Sequence, residues 1–98
     1  MASTNLDEAR HSFEQTDRIL RQTLVDILKL DGDRVQEFDA ETGLFGHLPE
    51  LDSMAVASLL TEIEDRLDIV IEDDEVEADM LDTYGALRTF VKTKREGG

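Results

Sequence analysis

From residue 53 to residue 68 the apolar side chains fall at Val56, Leu59, Leu60, Ile63 and Leu67, the three-and-four spacing that lines one face of an α-helix. The opposite face reads Met54, Ser58, Thr61, Asp65 and Asp68. A stripe of this kind needs other apolar faces to cover it, and two further segments supply them. Phe13, Leu20, Leu24, Ile27 and Leu28, with Ile19 beside them, predict a first helix over 13–30. A capping box at Ser12-Phe13-Glu14-Gln15 opens it and Gly32 ends it. Tyr84, Leu87, Phe90 and Val91 predict a last helix that starts at Asp82 or Thr83. Lys92, Lys94 and Arg95 at its end complement the helix dipole.

Gly32, Gly43, Gly46 and Pro49 make residues 31–51 a long connection, and loops of this length are uncommon unless they pack or carry function. Val35, Phe38, Leu44, Phe45 and Leu48 let this one lie down on the core, with a helical turn near Gly43–Phe45. Ile69-Val70-Ile71 is strand-like in propensity but isolated, and reads as buried extended chain. An acidic turn and a short helix over 75–81 follow. The expected fold is all-α: a four-helix bundle with a long first loop and a short third helix. The domain spans 13–94, between a flexible N-terminus at 1–12 and a tail at 95–98.

Charge narrows the choice of partners. The 98 residues carry a formal net charge of −14, and Arg66 is the one base between residues 51 and 84, a stretch rich in Asp and Glu. Such a surface repels nucleic acid and anionic lipid and attracts basic protein patches. The absence of cysteine excludes disulfides, thiolate metal sites and a cysteine nucleophile. The N-terminal sequence has no apolar run of signal-peptide or membrane-span length, so the expectation is a cytoplasmic monomer with no membrane span.

Enzyme and metal readings fare poorly. Residues 31–42, DGDRVQEFDAET, place Val35, Gln36 and Thr42 where an EF-hand loop needs an oxygen ligand, a glycine and a glutamate. His11 and His47 stand at no ligand or nucleophile–base spacing. The dense carboxylates read as a solvated face, so no catalytic residue and no metal ligand is assigned. Asp52-Ser53-Met54 remains: by itself, a capped helix start.

Its context says more. Residues 51–91, LDSMAVASLLTEIEDRLDIVIEDDEVEADMLDTYGALRTFV, resemble the second half of an acyl carrier protein. In that family a D-S-L or D-S-M motif opens the second helix. An apolar helical face, an acidic helix end, an I-x-I-type segment, an acidic turn, a short third helix and a fourth helix follow in the same order. The resemblance implies a carrier, not an enzyme, modified by a phosphopantetheinyl transferase. That enzyme moves phosphopantetheine from coenzyme A onto the hydroxyl of Ser53, and the arm's thiol then holds an acyl group as a thioester. Asp52 is implied to cap the helix and assist the modification. The helix from Ser53 is implied to meet partners, here through Met54, Ser58, Thr61, Glu64, Asp65 and Asp68, against an acyl-loading ligase or acyltransferase with a basic docking patch. An acyl chain is expected to tuck among Val56, Leu59, Leu60, Ile63, Ile71 and Leu81. Many carriers of fatty acid synthesis have an acid where Ser58 stands, a departure that points to a more dedicated pathway. HLPELDSM, residues 47–54, is similar to acyl carriers of exopolysaccharide and exosortase systems. D-S-M also occurs in D-alanyl carriers, so an aminoacyl or peptidyl carrier is the alternative, ahead of an unmodified acidic adaptor.

Overall fold

The computed structural model describes residues 2–96, with side chains from residue 12 onward; Met1, Gly97 and Gly98, the last two in the expected tail, lie outside the described residues. Four α-helices follow in order: α1 (Ala2–Leu28), α2 (Gly32–Gln36), α3 (Ser53–Leu67) and α4 (Tyr84–Arg95). Two 3₁₀ turns, Asp73–Glu75 and Ala78–Leu81, occupy the place of the expected short third helix. The all-α expectation holds.

The helix α1 starts far earlier than the capping box suggested. Ser12 lies inside it, because no glycine or proline precedes Gly32 and nothing stops a helix already anchored by Leu20, Leu24 and Leu28 from running back toward the N-terminus. It stops at Leu28, and Lys29 takes a left-handed conformation with φ 58°.

The segment DGDRVQ, part of the supposed loop, folds as α2. Asp31 caps it, its Oδ1 accepting from the Asp33 N–H at 3.0 Å, and Val35 is buried beneath it. The expected helical turn near Gly43–Phe45 forms over 44–48, where Leu44 O accepts from the His47 N–H at 3.0 Å and the Leu48 N–H at 2.8 Å, and the backbone leading into it is extended. That backbone pairs with residues 81–85 through main-chain hydrogen bonds: Leu44 N–H to Asp82 O and Phe45 N–H to Leu81 O, both 2.9 Å, with Tyr84 N–H to Thr42 O at 2.8 Å and Gly85 N–H to Ala40 O at 3.0 Å. The N–H groups of Leu44 and Phe45 thus find their partners across the fold, while the Leu44 carbonyl bonds locally.

Leu20, Leu24, Leu59, Ile63, Leu87 and Val91 are fully buried where α1, α3 and α4 meet, and Phe38, Leu44, Leu48 and Leu51 bring the long loop onto them. In the Ile69–Ile71 segment the two isoleucines pack on the core while Val70 is 65% exposed, so this chain is only half buried.

A polar knot ties α1 to α4. Asp17 accepts from Arg21 Nε at 2.8 Å, from the Tyr84 hydroxyl at 2.7 Å and from Arg88 Nη1 at 2.8 Å, while Arg21 Nη1 donates to Val35 O at 2.7 Å. Burial alone would raise the Asp17 carboxyl; the hydrogen bonds from Arg21, Tyr84 and Arg88 outweigh it and hold the group below its ordinary value. Burial, then the Asp17 carboxylate, push the Tyr84 hydroxyl far up, so it stays a donor.

Two stability predictions follow from these contacts. Because Asp17 is depressed in the folded state, its contribution is complete above its unfolded value of about 3.9 and disappears as pH falls through the lower folded value. Asp17→Asn should therefore cost about 1.5 kcal/mol near neutral pH and nothing in strong acid. A urea-unfolding deficit that stays constant with pH counts against this. At Gly85, a Cβ would stand 2.7 Å from Ala40 O and 2.9 Å from Ala40 Cα, backbone atoms that cannot step aside. Gly85→Ala should destabilise by about 1–3 kcal/mol, against the ~1 kcal/mol that alanine ordinarily gains in a helix; an unchanged urea midpoint refutes it.

Candidate functional site

The head of α3 is built by Asp52. Its backbone is extended and its Oδ1 accepts from the Ala55 N–H at 2.8 Å, while its carbonyl takes the Val56 N–H at 2.9 Å. That cap fixes the first turn and leaves the early N–H groups of a 15-residue helix pointing outward. Ser53 is the first helical residue and is exposed; Met54 beside it is 83% exposed. A hydroxyl here is open to a modifying enzyme, and the helix end favours a phosphate placed on it.

Two grooves meet at Ser53. One, of about 270 Å³, runs between α3 and the second 3₁₀ turn and is lined by Phe45, Val56, Val76, Glu77, Ala78 and Leu81. The other, of about 410 Å³, follows the loop from Phe45 to Asp52. A larger depression of about 880 Å³ lies between the 3₁₀ turns and α4, away from Ser53.

The residues expected to receive an acyl chain lie at different depths. Val56 and Leu81 line the groove beside Ser53. Leu59, Leu60 and Ile63 lie a turn or more deeper and are spent in the closed core, and Ile71 packs against the edge of that core. Phe45, Val76 and Ala78 complete the groove, from segments whose neighbours in space no helical period reveals.

Of the residues expected to meet partners, Met54, Ser58, Thr61, Asp65 and Asp68 are exposed together along α3 and its C-cap. Asp68 ends the helix in the left-handed region, φ 55°, with its N–H on Glu64 O. Glu64 is turned elsewhere: its Oε2 accepts from the Ile71 N–H at 2.8 Å, stapling the chain after α3. Its position a residue past Ile63, flanking the apolar stripe, was the available signal. Arg66 reaches inward to Asp26 at 2.8 Å and Glu62 at 2.9 Å. Among the described residues no cation lies within ion-pair distance of Asp65, Asp68, Glu72, Asp73, Asp74 or Glu77, so this side of the molecule keeps its negative charge.

Residues 18–91 match the family of phosphopantetheine attachment sites. The solution NMR structure of a holo acyl carrier protein from Nitrosomonas europaea is similar at 39% identity, with a TM-score of 0.75, over 84% of this chain and 98% of that one. No curated protein matches. The site described above suits the group: phosphopantetheine brings the thiol that this cysteine-free chain lacks, and an exposed hydroxyl at a helix head would offer it an attachment point. The chain belongs to the phosphopantetheine attachment family: it is a carrier protein of the acyl carrier fold rather than an enzyme, and phosphopantetheine is its covalent cofactor.

Proposed function

We propose that Ser53 is the attachment residue and that the cargo is an acyl group held as a thioester and shown to partner enzymes. The observation that carries this reading is the exposed Ser53 hydroxyl at the lip of the groove formed by Phe45, Val56, Val76, Ala78 and Leu81. An apolar chain entering that groove leaves water, at about 0.8 kcal/mol per buried CH₂. A short aminoacyl cargo gains little there, although Glu77 in the groove's lining would meet an ammonium group, which keeps a D-alanyl or other aminoacyl carrier as the second reading. Intact mass of the protein from its own cell separates the two. Ser58, in place of an acid, and the HLPELDSM segment favour a dedicated pathway of the exopolysaccharide or exosortase kind over housekeeping fatty acid synthesis. We propose that such a carrier works in the cytoplasm, where coenzyme A supplies the arm.

Ser53 serves as acceptor of the phosphopantetheinyl group, whose thiol provides the thioester chemistry. Asp52 orients the acceptor by capping the turn, and the outward N–H groups of α3 offset the negative charge of the phosphodiester. The partner is an acyl-loading ligase or acyltransferase whose basic patch meets the acidic end of α3.

Incubation with coenzyme A and a broad-specificity transferase should add one phosphopantetheine mass, and Ser53→Ala should abolish it; a modified alanine variant ends the reading. Asp52→Asn keeps a good cap and removes the charge, so it should leave stability within about 0.5 kcal/mol while slowing modification about tenfold. For the partner face, Asp65→Lys combined with Asp68→Asn respects the left-handed backbone at Asp68. It should weaken loading by about three- to tenfold at low salt, an effect that fades as salt rises. Equal loading rates at low salt would show that the partner docks elsewhere.

A further inference from the structure

The segment 73–81 is hollowed on both sides. Toward α3 it walls the groove beside Ser53, and toward α4 it bounds the depression of about 880 Å³; Glu77 lines both. No residue of α3 lines the depression. Its floor is apolar, with Ala40 from the long loop, Ala86 and Phe90 from α4, and Met80. Its rim on the 3₁₀ side is acidic. Asp74, Glu77 and Asp79 are exposed there, and among the described residues no cation lies within ion-pair distance of them. We propose that this depression is a second docking surface, separate from the face of α3, and that its occupant is a basic amphipathic helix of a partner protein. That helix carries arginine or lysine along the edge facing residues 74–79 and apolar side chains along its base. The proposal does not depend on attachment at Ser53.

Charge and apolar surface together select this occupant. The rim repels nucleic acid and anionic lipid. A second copy is a poor fit, because the chain carries −14 and its Lys92 and Lys94 are held by Glu96 and Glu75. A small cation would pair with the rim and leave the floor wet, whereas apolar side chains set on Ala86 and Phe90 lose water there. A helix lying in a groove presents both kinds of side chain at once, on adjoining edges. The wall from α4 does not cancel the rim. Arg88 lines it, but its guanidinium is held by Asp17 at 2.8 Å and stacked over Phe13 and Tyr84. Glu75 favours arginine over lysine in the occupant. Its Oε1 accepts from Lys94 at 2.9 Å, while Oε2 is buried with no hydrogen-bond partner among the described residues. A guanidinium that turns this carboxylate outward gives it the donor it lacks. Held from this side, the carrier keeps Ser53, Met54 and the acidic end of α3 open to other enzymes.

The test uses the full chain and a helical peptide of about 16 residues, with arginine along one edge, alanine and leucine at its base and glutamine elsewhere. In ¹H–¹⁵N spectra at low salt, the amides of Glu77, Asp79, Gly85, Ala86 and Thr89 should shift on titration, while those of Met54, Ser58 and Thr61 stay. Asp74→Asn, Glu77→Gln and Asp79→Asn combined should weaken binding about tenfold. Thr89→Arg, at an exposed helical position on the opposite wall, should weaken it about three- to tenfold without disturbing the fold. A peptide with serine in place of its alanine and leucine should also bind about tenfold less tightly. Ser53→Ala, and Asp65→Lys with Asp68→Asn, should bind within about twofold of the wild type. Shifts centred on α3, the absence of saturable binding, or equal binding by the serine peptide overturn the proposal. If the same amides shift with protein concentration alone, the surface belongs to a second copy, which also overturns it.

Discussion

The main-chain pairing between residues 40–45 and 81–85 fixes where everything near Ser53 sits. Those four hydrogen bonds are worth about 4 kcal/mol together, while burial of Val35, Phe38, Leu44, Leu48 and Leu51 contributes about 2 kcal/mol for each. Burial therefore holds the loop down, and the hydrogen bonds choose its register. Slip the pairing by one residue and Leu44, fully buried, would trade places with the exposed Phe45. Both grooves share Phe45, so both depend on that choice. The close approach of Gly85 to Ala40 belongs to the same constraint: the strands of chain can come this near only because no side chain stands between them.

Legibility in the sequence divides along one physical line. Periodicity reports the angle of a residue around its own helix axis, so the apolar face of α3, the Asp52 cap and the exposed run from Met54 to Asp68 could be read directly. It says nothing about depth along the axis. Val56, Leu60 and Ile63 share a face, yet only Val56, in the first turn, reaches the groove, and the other two close the core. It is equally silent about contacts between distant segments, which is why Phe45, Val76 and Ala78 went unassigned. The start of α1 was hidden for a different reason: Ser12 and Gln15 have the composition of a cap, but a cap acts only where the chain has a reason to leave the helix. In DGDRVQ the same chemistry at Asp31 does act, because Leu30 is buried just before it and the direction of the chain must change.

Charge is sorted by the fold as well as by the sequence. Arg66, the sole base in the acidic third of the chain, is drawn to Asp26 and Glu62 and so cross-links α3 to α1. Lys94 is bound to Glu75 at 2.9 Å, and Arg95 donates to Thr16 at 2.7 Å. Cations near α3 and the C-terminus are thus used inside the structure, and the carboxylates around the end of α3 and the 3₁₀ turns are left to solvent. Their mutual repulsion is a standing cost to the folded state. A protein that meets them with a basic surface relieves that cost on contact, so the acidity that weakens the isolated chain strengthens and hastens the encounter.

The two walls of the groove beside Ser53 are built to different standards. On one side stands α3, with a full ladder of hydrogen bonds, a cap at its head and a staple from Glu64 at its foot. On the other side, residues 73–81 form two short 3₁₀ turns whose bonds, from 3.0 to 3.3 Å, close one turn at a time; Met80 and Leu81 are buried, Val76 packs at the edge of the core and Glu75 is tied to Lys94. Opening a wall of that kind gives up few hydrogen bonds and little buried surface, whereas moving α3 would disrupt Leu59 and Ile63 in the core. The groove can therefore widen on the 3₁₀ side while Ser53, the proposed attachment residue, stays fixed on the rigid helix. With the arm proposed on Ser53 of α3 and the yielding segment opposite, the two demands on such a carrier, a constant anchor and an adjustable berth, fall on different elements.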